Sequence, residues 1–152
     1  MPLVCLAAFA LLSGCGGSSD SSAKALSKTQ FQKRAKALCE QSVNEYFAKA
    51  EKALIAAQER GRQSYRQIEV VIVRNILIPQ LEAKVEALRR LGSPDGGAKQ
   101  LETILRAMED VIEGMKSDPA GFLREQQTYQ FPFAKPQALA KKFGLAPACV
   151  EA

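Results

Sequence analysis

Histidine is absent from this 152-residue chain, and so is tryptophan. The first absence removes the side chain that most often serves as a general base near neutral pH and most often ligates transition metals. It excludes Ser-His-Asp and Cys-His nucleophile arrangements, and it excludes carboxylate-bridged metal sites built on Glu-x-x-His. Aromatic residues make up only 7% of the chain, and they do not interleave with basic residues as they do in nucleic-acid binders. The net charge of +5 is too modest for a dedicated nucleic-acid partner. It does suit an anionic membrane surface or an acidic wall polymer. A phosphate-cradling glycine loop is missing as well: Gly92 to Gly97 has neither a preceding strand nor a Lys-Ser/Thr ending.

What is present favours helices. Apolar residues account for 47% of the chain and charged residues for 24%, enough to build one core in a domain of ordinary size. Ala, Leu, Lys, Glu, Gln and Arg dominate, all strong helix formers. The 10 glycines and 7 prolines fall mostly at the edges of periodic segments.

The chain opens with an apolar run, Leu3 to Leu12, of 10 residues. A bilayer span needs about 20, whereas about 10 suits the apolar region of a signal peptide. The run ends in Leu12-Ser13-Gly14-Cys15, which resembles the lipobox of bacterial lipoproteins. There, small residues admit the chain to the lipoprotein signal peptidase, and the cysteine thiol carries the diacylglyceryl group. Only Met1-Pro2 precede the run, without the Lys or Arg usual at a signal peptide's start, so either the true start lies upstream or the region is atypical. A plain secretory signal and a buried N-terminal helix are the competing readings. Gly16 to Ser22 is almost entirely Gly and Ser, the composition of a tether. The expected organisation is a signal peptide over 1–14, a lipidated cysteine and tether over 15–26, and a helical domain over 27–152.

The cysteines are Cys5, Cys15, Cys39 and Cys149. Cys5 would leave with the signal peptide and Cys15 would be acylated, which leaves a pair in an exported domain. A Cys39–Cys149 disulfide is expected, closing a loop of about 110 residues worth roughly 4–5 kcal/mol on the chain-entropy model. The alternatives are two unpaired thiols, a redox pair lacking Cys-x-x-Cys spacing, or a metal site short of further ligands.

Periodicity predicts an all-α antiparallel bundle of three long and two short helices. Ser27 and Gln30 form a capping box, and a stripe runs through Phe31, Ala35, Leu38, Ser42, Tyr46, Ala50, Ala53 and Ala57 toward Arg60. Gly61 ends it. Ser64 and Gln67 open a second helix over Tyr65 to Leu91, whose β-branched start could be read as a strand and whose Pro79 should kink it. A third helix spans Ala98 to Lys116. A short one follows Asp118-Pro119 to Gln126, and the last covers Phe133 to Phe143 with Gly144 as its stop.

This order of motifs is similar to a group of small helical lipoproteins of unknown function common in actinobacteria. The similarity is carried by Ser27 to Phe31 with Ala35 and Cys39, by Pro79-Gln80-Leu81 with Leu88 to Pro94, and by Phe133-Ala134, Ala138, Phe143-Gly144-Leu145 and Cys149. The resemblance implies a helical lipoprotein with a cysteine pair, and it implies no reaction.

Three constellations are candidate sites. Lys24, Lys28, Lys33, Arg34 and Lys36 run without an acid before Glu40; they are either membrane-surface contacts or a solvated face. Val70, Val73 and Leu77, with Tyr129, Phe131 and Phe133, are either core or an apolar groove. Glu102, Glu109, Asp110 and Glu113 read as a solvated helix face. No cofactor, metal or catalytic residue is expected. The expected role is a non-catalytic, membrane-anchored, extracytoplasmic module whose partner is an envelope protein, with binding of a lipid or other apolar ligand as the second reading and an enzyme as a distant third.

Overall fold

A computed structural model describes residues 26–61, 64–126 and 131–151. Helix α1 spans Lys28–Arg60, α2 Tyr65–Ile72, α3 Ile78–Arg90, α4 Ala98–Ser117, α5 Pro119–Gln126 and α6 Ala134–Phe143. A π-helical turn, Val73–Leu77, joins α2 to α3, so these three form the second long helix. A 3₁₀ turn, Pro147–Cys149, lies in the C-terminal tail. The result is an all-α bundle of three long and two short helices.

Local chemistry sets the boundaries. Ser27 Oγ accepts from the Gln30 N–H at 3.2 Å, and Gln30 Oε1 accepts from the Ser27 N–H at 3.1 Å. Ser64 and Gln67 repeat the exchange at the start of α2. Each box satisfies two of the donors that a helix start leaves orphaned. Gly61 stops α1 at φ 63°, a left-handed conformation that is costly with a Cβ.

The second long helix accommodates Pro79 in a way that periodicity does not predict. The preceding turn widens, and the Ile78 N–H reaches the Val73 carbonyl five residues back. Pro79 has no N–H and its ring would press on the carbonyl four residues earlier; a π turn relieves both. The extra residue also re-registers the apolar face, so that Ile68, Val73, Leu77, Leu81, Val85 and Leu88 all point inward. Residues 68–73 stay helical despite their β-branching, because tertiary burial outweighs propensity.

The core lies where α1, α3, α4 and α6 meet. Phe31, Leu88 and Met108 are fully buried. Between α3 and α4, Leu81, Val85, Leu88, Ile104, Leu105, Met108 and Ile112 are all at most 3% exposed, so this seam is filled with side chains. Edge-to-face contacts link Phe31 to Phe143 and Phe122 to Phe133, each with centroids 6.1 Å apart. Among the described residues, no buried side-chain N or O lacks a hydrogen-bond partner. None of the described helices is long and apolar enough to cross a membrane.

Candidate functional site

The tail is held against α1 by two devices. Cys39 and Cys149 form the expected disulfide, with Cα atoms 4.8 Å apart and both residues fully buried. Capping and periodicity place Cys39 on the inner face of α1. The Gly144 stop turns the chain back across α1, which brings Cys149 alongside. The second device was not foreseen in the sequence. Lys84 of α3 is 3% exposed, and its ammonium donates to the carbonyls of Ala148 at 3.0 Å and Glu151 at 2.7 Å. Burial pulls its pKa down to about 8, against the opposing pull of the Glu151 charge. The signal was present: Lys84 sits three residues after Leu81 and four before Leu88, inside an apolar stripe where a lysine must find buried partners.

Beside the tail lies an open groove of about 830 Å³ between the first turns of α1, α6 and the segment from Gly144 to Glu151. Lys33, Lys36 and Lys141 line it, over Ala140, Leu145 and Val150. Gln32 Nε2 donates to the Phe143 carbonyl at 2.9 Å across its end, and Lys28 Nζ sits 4.9 Å from the centre of the Phe143 ring. Of the basic run singled out in the sequence, Lys33 and Lys36 thus share this groove and Lys28 flanks it. Lys24 lies outside the described residues. Arg34 does not join them: about 100° around the helix from Lys33 and about 200° from Lys36, it is exposed on the other flank of α1. Lys141, from the opposite end of the chain, takes part in its place.

The apolar groove expected from Val70, Val73, Leu77, Tyr129, Phe131 and Phe133 requires correction. Phe133 is 1% exposed and belongs to the core, because α5 presses Phe122 against its ring. Val70 is half-buried against the core, Phe131 is exposed and tilted onto Phe133, and Tyr129 lies outside the described residues. Val73 and Leu77 do floor a groove of about 490 Å³, but its walls come from elsewhere: Tyr46, Phe47 and Leu54 of α1 and Tyr65 of α2. Periodicity had assigned Tyr46 to the inner stripe and had no reason to single out Phe47 or Tyr65. Burial holds the Tyr46 hydroxyl above its usual pKa.

The acids of α4 form a solvated lattice of ion pairs with α3. Arg89 meets Glu109 at 2.6 Å and Glu102 at 3.5 Å, and Lys116 meets Glu82 at 2.7 Å and Glu113 at 2.6 Å. The Arg89 hydrogen bond holds the Glu109 carboxyl below its ordinary range. Asp110 faces Lys135 at 3.6 Å. These partly exposed pairs stabilise the α3–α4 seam only modestly. Among the described residues, no group of three or more His, Cys, Asp or Glu converges on a possible metal position.

No family model, curated protein or solved structure matches this chain.

Proposed function

We propose that this protein is an exported lipoprotein whose helical domain acts as a non-catalytic interaction module on the outer side of the cytoplasmic membrane. The observation that carries the reading is the buried Cys39–Cys149 disulfide, a cross-link that persists in oxidising compartments and is rare in the cytosol. The Leu12-Ser13-Gly14-Cys15 pattern supplies the address, with Cys15 as the acylated residue and the following Gly/Ser stretch as spacer. Two features of its chemistry support the non-catalytic part. Histidine is absent, and Lys84, the buried charge among the described residues, is committed to two backbone carbonyls. The groove beside the tail and the aromatic groove are the surfaces left for a partner.

Growing the producing cells with an alkyne-bearing palmitate tests this reading. Label should appear on the protein in the membrane fraction and vanish in Cys15→Ala. An unlabelled, full-length product in the cytosol would overturn it. A second reading, binding of a lipid or other apolar ligand, is favoured by the aromatic groove, where Phe47 is 59% and Tyr65 65% exposed. Native mass spectrometry of the protein purified without detergent separates the two. A bound apolar mass that disappears with Phe47→Ser supports the ligand, and a bare chain supports the interaction module.

A further inference from the structure

Two stretches of this chain carry lysine without acid. Residues 24–39 hold Lys24, Lys28, Lys33, Arg34 and Lys36, and residues 131–150 hold Lys135, Lys141 and Lys142, with no Asp or Glu in either. About a hundred residues separate them in sequence, yet the fold joins them. The Phe31 ring meets that of Phe143, and Gln32 donates to the Phe143 carbonyl. Elsewhere several cations pair with a neighbouring acid: Lys49 with Glu45, Arg66 with Glu69, Arg89 with Glu102 and Glu109, Arg106 with Glu102, Lys116 with Glu82 and Glu113, and Arg124 with Asp118. Lys52, Arg60, Arg74, Arg90 and Lys99 are unpaired among the described residues, but none of them lines the groove beside the tail. At the joined end, Lys28, Lys33, Lys141 and Lys142 have no carboxylate within 4.0 Å among the described residues. Lys36 has only an exposed contact with Glu40 at 3.8 Å. Glu151, the acid at the rim, accepts from Gln137 and faces Lys84.

The position of this uncompensated charge matters as much as its sign. It lies where the chain enters the domain: the Leu26 carbonyl accepts from the Asp95 N–H at 2.8 Å, and Ser27 then caps α1. The step from Cys15 to Leu26 can reach at most about 40 Å. A chain anchored through Cys15 therefore keeps this basic end within tether reach of the lipid. Lysines at an anionic bilayer gain attraction that decays within a Debye length, so proximity of this kind makes them effective.

We propose that the groove bounded by Lys33, Lys36 and Lys141 is a docking face for the anionic phospholipid surface of the bilayer that holds the protein. The lysines meet lipid phosphates, the apolar Ala146 and Pro147 meet the headgroup boundary, and the aromatic groove is left for a partner. The proposal rests on the lipid-anchored reading for its biology, but its electrostatics can be measured without the anchor.

The test uses the full chain carrying Cys15→Ser, so that no acyl group contributes, and vesicles of phosphatidylcholine with or without one-third phosphatidylglycerol. Residues 3–12 contribute equally to every variant compared. Lys33→Gln with Lys36→Gln and Lys141→Gln should lower partitioning onto the anionic vesicles by at least about tenfold at low salt. A control with the same charge loss elsewhere, Lys52→Gln with Arg60→Gln and Arg74→Gln, should lower it less than about twofold. All six positions are exposed, so circular dichroism and the thermal midpoint should not move. Equal losses in the two variants, no loss in either, or equal binding to neutral vesicles would overturn the proposal. Acylation of Cys15 is read separately in the unmodified chain. A chain that escapes acylation yet shows the groove-dependent partitioning loses the anchor and keeps the face. An acylated chain whose partitioning ignores these lysines does the reverse.

Discussion

The two halves of α1 are built differently. In the first, Phe31, Ala35 and Cys39 are fully buried and Ser42 nearly so. In the second, Ala57 alone is buried, while Phe47 and Ile55 are 59% and 50% exposed. The helix has 33 residues and so extends about 50 Å, longer than the 13 residues of α3 can cover. The first half lies under α3, α6 and the tail, cross-linked at Cys39 and braced by Lys84. The second half projects past them and touches α2 through a partly open aromatic seam. One helix thus has a pinned end and a loose end. Stability in a small domain is distributed unevenly, and binding surfaces are drawn from the less buried regions. Here the pinned end carries uncompensated lysines and the loose end carries exposed aromatics, so the molecule offers two faces of opposite chemistry.

The contrast can be broken most severely at the cross-link. Replacing both cysteines, Cys39→Ala with Cys149→Ala, should lower stability in denaturant titrations by about 4–5 kcal/mol, because the loop it closes spans 110 residues. An effect below about 1 kcal/mol would mean that packing alone holds the tail. Phe31→Ala should come next, at about 3–4 kcal/mol, since it empties a fully enclosed site against Phe143.

Lys84 sharpens the comparison through pH. Its pKa is about 8 in the folded chain against 10.5 for an ordinary lysine, so the unfolded chain holds this proton more tightly. Its contribution is therefore least favourable below pH 8 and improves as pH climbs from 8 toward 10.5. The neutral amine retains two donors for the Ala148 and Glu151 carbonyls, so the tail stays braced. Across that window the wild type should gain about 1–3 kcal/mol relative to Lys84→Met, read from denaturant midpoints at several pH values. Parallel profiles for the two proteins would contradict it. The smallest effect belongs to the loose end: Phe47→Ser should change stability by no more than about 1 kcal/mol, because its ring is more than half exposed and packs mainly on Tyr46.

Much of this architecture was legible in residue order. The capping boxes at Ser27 and Ser64, the Gly61 and Gly144 stops, the Asp118-Pro119 start and the cysteine pair are local signals, and each marks what it was read to mark. What escaped was tertiary. The π turn before Pro79 depends on keeping the α2 and α3 faces inward together, which periodicity within either segment does not reveal. Phe133 looked like groove lining until α5 laid Phe122 on it. The basic run looked like one face because it is contiguous in sequence, although a helix separates Arg34 from Lys33 by about a quarter turn and long-range packing adds Lys141.

The central claim is that the pinned end is oxidised where the protein works. Differential alkylation of intact cells tests it most directly: free thiols are blocked with one reagent, disulfides are then reduced, and the released thiols are tagged with a second. Cys39 and Cys149 should both carry only the second tag. Both carrying the first tag, in protein recovered from living cells, would contradict the account.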